Sequence, residues 1–348
     1  MIYVNGRFLT RPMTGVERYA YMVCKALAER GERFTIVCPK GTVALPCYDV
    51  TAMTVVYYGR GRSHVWEQCV LPFFFVGKKD YLLFNFTGLG PVAIGSKVMT
   101  IHDLSFLENP KWFSLPYYLL YKLLTPIAAR TSRHIITVSQ FSKREILRFY
   151  PFIREEKISV VYCAADRQRF RRLDHVAPPT EPFALAVSSL DPRKNFARLV
   201  EAFEGMDGYR LYIVGSKGRV FTGSSGSSST SSNITFLGRV SDDELLRLYN
   251  QATCFVFPSV YEGFGLPPLE AMQCGCPVLA ADIPVVHEVC GDAAEYFDPY
   301  DVESIRRAVR DFFARPDNDK AAMRQRGYDN ARRFSWSRAG EEILAIKD

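Results

Sequence analysis

Residues 257–272 read Phe257-Pro258-Ser259-Val260-Tyr261-Glu262-Gly263-Phe264-Gly265-Leu266-Pro267-Pro268-Leu269-Glu270-Ala271-Met272. The run that leads into this stretch, Cys254–Phe257, has the apolar pattern of a buried strand. Two prolines stand where a helix would open, since proline is tolerated in a first helical turn. The stretch therefore predicts a strand, a glycine-containing loop and a helix, the repeating unit of a parallel α/β sheet.

The loop of this unit predicts an anion site. Backbone N–H groups near the positive end of the helix dipole suit a diphosphate. Glu262, on the loop, reaches hydroxyls of a sugar, and Glu270, one turn into the helix, can accept both hydroxyls of a ribose. An ordinary turn with solvated glutamates is the alternative. The loop residues expected to contact the ligand are Gly263, Phe264, Gly265 and Leu266.

Strand and helix patterns alternate along both halves of the chain, which indicates an α/β fold with two parallel sheets. The predicted strands of the first half are Ile2–Val4, Phe34–Cys38, Tyr81–Phe86, Val98–Ile101 and Ile135–Ser139. Those of the second half are Ala184–Val187, Leu211–Val214, Ile234–Leu237, Cys254–Phe257 and Pro277–Ala280. Two Rossmann-like halves predict a cleft between them, with ligands at the carboxyl ends of the strands.

The predicted domains are residues 1–176, residues 177–335 and a C-terminal helix within 336–348 that packs on one of the two halves. The proline-containing stretch 177–182 is interpreted as the linker between them. Residues 223–232 are Ser- and Gly-rich, which predicts a mobile surface loop.

Composition excludes several classes of protein. Apolar residues make up 48% of the 348 residues and charged residues 23%, as in a globular protein. The start of the sequence is a predicted strand without the pattern of a signal peptide, and no apolar run is long enough to span a membrane. Nine scattered cysteines without a CxxC pair favour reduced thiols, and with them a cytoplasmic location. The net charge of +7 suits an anionic partner.

The chain resembles the family 4 retaining glycosyltransferases over nearly its whole length. Glu262 and Glu270 match the Glu-x7-Glu signature of that family. Further matches are Thr14-Gly-Val-Glu-Arg-Tyr19, His102-Asp103, Val138-Ser-Gln-Phe-Ser-Lys143, Asp191-Pro-Arg-Lys-Asn195, Phe236-Leu-Gly-Arg-Val-Ser241 and Glu288-Val-Cys-Gly-Asp-Ala-Ala294. The resemblance implies the GT-B fold, in which two Rossmann-like domains face each other across a cleft.

The resemblance also assigns roles to residues outside the loop. Gly15 lets the backbone approach the donor phosphate, unless it is only a turn glycine. Arg193 and Lys194 follow a predicted strand, and their charges would stabilise the departing diphosphate. Many relatives carry Gly-Arg where this chain has Ser188-Ser189, which leaves open whether Arg193 replaces that arginine.

His102 and Asp103 follow the strand Val98–Ile101 and are expected at the reacting centre. His102 would bind a sugar hydroxyl or offer its backbone carbonyl, and Asp103 would orient it or face the acceptor. A core histidine is the alternative. No role is predicted for the other histidines, His64 among them.

The implied reaction retains the anomeric configuration, with the leaving phosphate helping to deprotonate the acceptor. No cofactor beyond the nucleotide diphosphate sugar, GDP- or UDP-linked, is expected. The motif segments contain no DxD sequence, so no metal ion is expected either. The predicted catalytic residues are therefore His102, Asp103, Glu262 and Lys194, with Gly15, Arg193, Lys194, Gly263–Leu266 and Glu270 binding the donor.

The acceptor side is a saccharide or lipid-linked saccharide. The aromatic and basic segment 111–124 either contacts the inner face of a membrane peripherally or forms an internally packed helix. We expect a hexosyltransferase, with mannose favoured, in surface polysaccharide or lipopolysaccharide synthesis. A non-hydrolysing sugar-nucleotide epimerase and a non-catalytic nucleotide-sugar-binding protein are alternatives. The sequence contains no clustered basic run, so nucleic-acid binding is not expected.

Overall fold

The structure is a computed structural model and describes residues 1–177, 179–187, 191–215 and 232–347. The described residues form two compact units. The first combines residues 1–163 with the C-terminal residues from 335 onward, and the second lies within residues 164–334. Each unit is built on its own parallel sheet.

The first unit contains, in its described residues, a seven-stranded parallel sheet in the order β3-β2-β1-β4-β5-β6-β7. Its strands are short and mostly buried, as expected of a sheet covered on both faces. They are β1 Ile2–Asn5, β2 Phe34–Cys38, β3 Thr54–Tyr57, β4 Leu82–Asn85, β5 Lys97–Ile101, β6 His134–Thr137 and β7 Ile158–Val160.

Helices connect these strands. Helix α1 has apolar residues at helical spacing, and Tyr19, Ala20, Val23 and Leu27 are buried. The helices of this unit are α1 Gly15–Glu29, α2 Ser63–Cys69, α3 Leu71–Phe74, α4 Ser105–Glu108, α5 Leu115–Thr131 and α6 Gln140–Phe149.

The second unit contains, in the part of the chain that the structure describes, a six-stranded parallel sheet in the order β10-β9-β8-β11-β12-β13. Its strands are β8 Phe183–Val187, β9 Arg210–Val214, β10 Ile234–Gly238, β11 Cys254–Phe257, β12 Val278–Ala281 and β13 Ala294–Phe297. Its helices are α7 Phe196–Phe203, α8 Asp242–Gln251, α9 Leu266–Gln273, α10 Pro284–Cys290, α11 Val302–Phe313 and α12 Asp317–Ala331.

The last helix, α13 Trp336–Lys347, belongs to the first unit. Gly340 lies against Ala26 of α1, where an added Cβ would come to 3.4 Å from the Cβ of Ala26. Arg30 pairs with Glu341 at 2.8 Å. The chain therefore returns to its first unit after completing the second.

The boundary between the two units lies between residues 163 and 164, earlier than the expected boundary between 176 and 177. The intervening residues pack within the second unit. Phe170 contacts Tyr249 edge to face, and the side chain of Asn250 accepts a hydrogen bond from the backbone N–H of Leu173. Of the expected linker, Ala177 accepts a hydrogen bond from Gln251 of α8. Pro178 and the Ser- and Gly-rich residues 223–231 lie outside the described residues.

Each sheet reverses its strand order at one place. In the first unit the chain moves outward from β1 to β3 and then returns to place β4 on the other side of β1. In the second unit β8 and β11 are the corresponding neighbours. Such a switch point opens a crevice at the carboxyl ends of the two strands, and ligands of doubly wound sheets bind there.

Candidate functional site

The predicted donor residues of the second unit surround its switch point. Lys194 ends a short 3-10 helix, Pro192–Lys194, that follows β8. Glu262 lies in the loop that follows β11. Since β8 and β11 are adjacent parallel strands, their carboxyl ends present both side chains at one edge of the sheet.

An ion pair joins these two residues. The Nζ of Lys194 lies 2.6 Å from Oε1 of Glu262, and the two side chains are only 12% and 9% exposed. A hydrogen bond between charged groups at this distance is among the stronger ones in proteins. The ammonium and the carboxylate, expected to contact different parts of a sugar nucleotide, therefore occupy a single small site.

Two further contacts hold the segments together. The backbone N–H of Val260 donates to the carbonyl of Arg193 at 2.9 Å. The side chain of Asn195 donates to the carbonyls of Pro258 at 3.1 Å and Pro299 at 2.7 Å. The pair is thus preorganised by backbone contacts on both sides.

Asn195 is a positioning residue to which the sequence analysis assigned no role. It is buried and adopts a left-handed conformation with φ of 58°. Asparagine is among the few residues that tolerate this conformation. Its position at the end of the Asp-Pro-Arg-Lys-Asn segment, directly before α7, is the signal that could have indicated it.

The loop ends at Gly265, which has φ of 100° and precedes α9. This left-handed backbone favours glycine, and the adjacent Phe257 ring, 3.6 Å from where a Cβ would stand, leaves ordinary contact space. Pro267 and Pro268 have no N–H, so the donors of the first helical turn reduce to the groups near Gly265 and Leu266. These are the donors expected to face a phosphate.

Glu270 lies within α9 and is buried, with 7% of the residue exposed. The hydroxyl of Tyr249 donates to its Oε2 at 3.4 Å. Tyr249 is fully buried and packs on Phe255 of β11. The sheet therefore fixes the position of the carboxylate expected to bind the ribose.

Arg193 lies on the same short helix as Lys194, with its Nε 3.7 Å from Oδ1 of Asp191. Asp191 also accepts the backbone N–H of Arg193 at 3.1 Å, which caps this turn. The arginine is thus tied to its own turn. Ser188 and Ser189, at the place of the family arginine, lie outside the described residues.

In the first unit, Gly15 is the first residue of α1 and is exposed. A Cβ added there would meet no atom within 4 Å, so the space beside the helix N-terminus is open. Thr14, the residue before α1, donates its hydroxyl to the side chain of Glu17, which places a carboxylate in the first turn. The guanidinium of Arg11 lies 3.6 Å from that carboxylate and offsets its charge.

His102 follows β5 and packs edge to face on Tyr19 of α1, with ring centres 5.1 Å apart. Its Nε2 lies 2.8 Å from the carbonyl of Phe86. A carbonyl only accepts, so Nε2 carries the proton and Nδ1 has an acceptor lone pair. Burial lowers the pKa of His102, although the Phe86 hydrogen bond and the charge of Asp103 raise it in part.

The carbonyl of His102 accepts a hydrogen bond from the hydroxyl of Ser142 at 3.0 Å. Asp103 accepts the backbone N–H of Ser105 at 2.9 Å and its hydroxyl at 2.5 Å. Asp103 thereby binds the first residue of the short helix α4 that follows. The structure places His102 against Tyr19 of α1, and hydrogen bonds hold both its ring Nε2 and its backbone carbonyl.

The structure thus brings the predicted residues together in two groups. Arg193, Lys194, Glu262–Leu266 and Glu270 lie at the switch point of the second sheet, whereas Gly15, His102 and Asp103 lie at the carboxyl edge of the first. The chain has one Asp-x-Asp sequence outside the motif segments, Asp317 and Asp319, which begins α12. Among the described residues, no group of three or more His, Cys, Asp or Glu could hold a metal ion.

Comparison with known protein families agrees with this division. Residues 13–169 match the family described as Glycosyltransferase Family 4, and residues 167–333 match the family described as Glycosyl transferases group 1. The first match contains Gly15 and His102, and the second contains Lys194, Glu262 and Glu270.

Two relatives are mannosyltransferases. The chain is 29% identical over 281 residues to the O-antigen chain mannosyltransferase B of Escherichia coli, a match that covers 76% of this chain and 74% of the relative. It is 33% identical over 228 residues to the O-antigen chain mannosyltransferase RfbU of Salmonella typhimurium, covering 64% of this chain and 62% of the relative.

Solved structures show the same fold. The sucrose-phosphate synthase of Thermosynechococcus elongatus superimposes with a TM-score of 0.79 at 16% identity, over 99% of this chain and 97% of the other. The two Rossmann-like units, the two family matches and these relatives together show that the chain belongs to the family 4 glycosyltransferases.

Proposed function

We propose that the protein transfers a hexose, with mannose preferred, from a GDP- or UDP-linked donor to a saccharide or lipid-linked saccharide. The anomeric configuration is retained and no metal ion takes part. The reaction serves surface polysaccharide or lipopolysaccharide synthesis on the cytoplasmic side of a membrane. Membership of the family supports glycosyl transfer.

The observation that carries this proposal is the Lys194–Glu262 pair at the switch point of the second sheet. The ammonium stabilises the negative charge that develops on the departing diphosphate, and the Glu262 carboxylate accepts sugar hydroxyls. The N–H groups near Gly265 add donors for the same diphosphate. Charge stabilisation at a fixed position is the main requirement of a displacement in which the leaving phosphate deprotonates the acceptor.

The choice of mannose rests on the two relatives, whose names identify them as O-antigen chain mannosyltransferases. Each is about 30% identical to this chain over most of its length. The buried Glu270 supports a nucleotide donor in general, because a fixed carboxylate suits the two hydroxyls of a ribose. It does not select the base.

Helix α5 supports action at a lipid surface. Four apolar residues that recur every fourth position, Leu115, Leu119, Leu123 and Ile127, are between 43% and 66% exposed. These residues form an exposed apolar stripe along one side of the helix. Such a stripe is typical of a surface that binds a partner or a membrane. Among the described residues, no helix is long and apolar enough to cross a membrane.

The charge around this stripe favours anionic lipid headgroups as its partner. Residues 109–133, which contain α5, have no Asp or Glu, and they contain four basic residues: Lys111, Lys122, Arg130 and Arg133. An acid-free basic segment gains about 1 kcal/mol per Lys or Arg near an anionic membrane surface. An internally packed helix, the alternative for 111–124, would not leave these four residues exposed.

The test is a panel of nucleotide sugars with the product anomer determined by NMR. GDP-mannose, UDP-glucose, UDP-galactose and UDP-N-acetylglucosamine are offered together with a mannose-terminated lipid-linked acceptor, with and without EDTA. We expect turnover with GDP-mannose that is insensitive to EDTA, with an α-linked product from the α-linked donor. An inverted linkage, or activity that EDTA abolishes, contradicts the mechanism. Release of a new free nucleotide sugar without acceptor indicates an epimerase instead.

A further inference from the structure

A second group of polar side chains lies at the switch point of the first sheet. Asn5 ends β1 and Asn85 ends β4, the two neighbouring strands at which the strand order reverses. The Nδ2 of Asn5 donates to Oδ1 of Asn85 at 2.6 Å and to Oε1 of Glu67 at 2.7 Å. This position corresponds to that of Lys194 and Glu262 in the second sheet, where a doubly wound sheet binds its ligand.

The group contains a buried ion pair. The Nε of Arg7 lies 3.3 Å from Oε1 of Glu67, and the two side chains are 3% and 0% exposed. Removing two such charges from water costs several kcal/mol per ion, and apolar residues of the same size would hold a turn at a lower cost. Buried charges at a ligand-binding edge therefore indicate a function beyond the fold.

His64 connects this buried pair to the surface. Its Nδ1 lies 3.0 Å from Oε2 of Glu67, and 21% of its side chain is exposed. The carboxylate accepts the Nδ1 proton and so fixes the ring. Nε2 then faces two donors, the guanidinium of Arg7 at 3.4 Å and the hydroxyl of Tyr121 at 3.3 Å.

A row of stacked rings extends from His64. Tyr121 stacks on Tyr117 with centres 4.2 Å apart, and Tyr117 stacks on Phe113 at 5.1 Å. His64 meets Tyr121 edge to face at 5.7 Å. Tyr117 is 38% exposed, so the row reaches solvent. This row lies on a different side of α5 from the apolar stripe, because residues 117 and 121 are about half a turn from residues 115 and 119.

The site adjoins the predicted reacting centre through two consecutive carbonyls after β4. The carbonyl of Phe86 contacts His102 at 2.8 Å, and the next carbonyl, that of Thr87, accepts a hydrogen bond from Arg7 at 3.0 Å. A ligand that contacts His64, which Arg7 holds at 3.4 Å, therefore lies on the same edge as the histidine expected at the anomeric centre. In a glycosyl transfer the molecule that must lie beside this centre, other than the donor, is the acceptor.

We propose that His64, Tyr121 and the ring of Tyr117 form the subsite that binds a sugar ring of the acceptor, and that the buried Arg7 and Glu67 hold His64 in position. A pyranose has a face of C–H groups and an edge of hydroxyls. The first packs on aromatic rings, and the second pairs with fixed donors and acceptors. The inference rests on the proposed function, since it names the place of the acceptor in the same reaction.

The test uses the full chain, with three methyl α-D-glycosides of mannose, glucose and galactose as probes. Their dissociation constants are measured by saturation-transfer NMR, and those of GDP and UDP by calorimetry. His64→Gln and Tyr117→Ala are compared with two controls in the same unit. His134→Gln changes the first residue of β6, at the amino-terminal ends of the strands and so away from the carboxyl edge. Tyr57→Ala removes a tyrosine that is 49% exposed on β3.

We expect at least one glycoside to bind the wild-type protein. His64→Gln and Tyr117→Ala each weaken it about ten-fold, the loss of one good hydrogen bond or ring contact. GDP or UDP affinity and the thermal midpoint stay within the range of the controls. A glycoside bound in the donor site would instead respond to Glu262→Gln and not to His64→Gln, which overturns the inference.

Two other results also overturn it: binding of none of the three glycosides, or equal binding by all variants. The proposed function fails separately, if neither nucleotide binds the wild-type protein.

Discussion

The ammonium of Lys194 lies 2.6 Å from a carboxylate oxygen of Glu262, across the two strands at which the second sheet reverses its order. Neither residue can be changed without affecting the other, because both side chains are about nine-tenths buried. The loss of one charge leaves the second without its counter-ion in a poorly solvated site. Effects on binding and on stability must therefore be measured separately.

Replacement of Glu262 tests the catalytic assignment. We expect Glu262→Ala to lower kcat/KM by at least about 100-fold, since it removes an interaction with the reacting sugar. The free energy of unfolding should fall by about 1–3 kcal/mol because Lys194 loses its partner. The measurement is steady-state kinetics on protein whose urea unfolding has been followed in parallel.

Glu262→Gln serves as the conservative variant and Glu204→Ala, an exposed glutamate in the same unit, as the control. The glutamine keeps a hydrogen-bonding oxygen near Lys194, so we expect most of the stability to be retained with activity still low. Wild-type kcat/KM in Glu262→Ala would remove Glu262 from the site.

Replacement of Glu270 tests the ribose assignment. In the structure this buried carboxylate accepts a hydrogen bond from Tyr249, and a ribose would bring two more hydroxyls to it. We expect Glu270→Gln to weaken GDP or UDP binding by about ten-fold, the loss of a charge-assisted hydrogen bond. Calorimetry with the matching 2′,3′-dideoxynucleotide is the control, because that ligand lacks both hydroxyls and should bind the two proteins equally. If Glu270→Gln weakens both ligands to the same extent, the carboxylate does not bind the ribose.

The inner strands of both sheets could be predicted from the sequence, whereas three strands were missed. Cys254–Phe257 and Phe34–Cys38 are apolar and buried on both faces, and their predicted bounds agree with the structure. The missed strands, Thr54–Tyr57, Ile158–Val160 and Ala294–Phe297, each lie at the edge of a sheet. An edge strand pairs on one side only, is less buried and is short, so its hydrophobic pattern is weak.

The residues of the donor site could also be predicted in part from the sequence. Lys194 and Glu262 lie in the segments that follow apolar strands, and parallel strands place such segments at one edge, so the sequence could indicate both. Their ion pair could not be predicted, because each residue was expected to contact a different part of the donor. The group around Arg7 is harder to predict from the sequence. Asn5 is 62 residues from Glu67 and 80 residues from Asn85, and the three meet only after the sheet has formed.

The apolar stripe on α5 predicts binding to anionic vesicles. We expect the Leu119→Glu and Leu123→Glu double variant to reduce flotation with phosphatidylglycerol vesicles by at least about ten-fold, because two leucines leave the acyl boundary and two negative charges enter it. Val76→Glu, at a residue 75% exposed elsewhere in the first unit, is the control. Binding of the wild-type protein should weaken at high salt and with phosphatidylcholine alone. Equal flotation of both variants would show that α5 does not contact the lipid.

Lys97 predicts a pH dependence of stability that is independent of catalysis. It lies in β5 with no exposed surface, and its Nζ donates to the carbonyl of Ile94 at 2.8 Å and to the hydroxyl of Thr131 at 2.7 Å. Burial, with a smaller contribution from the charge of Lys157, lowers the pKa of Lys97 to about 7 from its ordinary 10.5. Between these two values the unfolded chain holds a proton that the folded protein has released.

The folded protein is therefore stabilised as pH rises from about 7 to about 10.5, and below 7 the cost of the buried charge is fully present. Lys97→Met keeps the length of the side chain and removes the titrating group. We expect the difference in unfolding free energy, wild type minus variant, to increase with pH across this window. Subtraction cancels the other titrating groups. Parallel pH profiles of wild type and Lys97→Met would mean that Lys97 keeps its proton in the folded protein throughout this range.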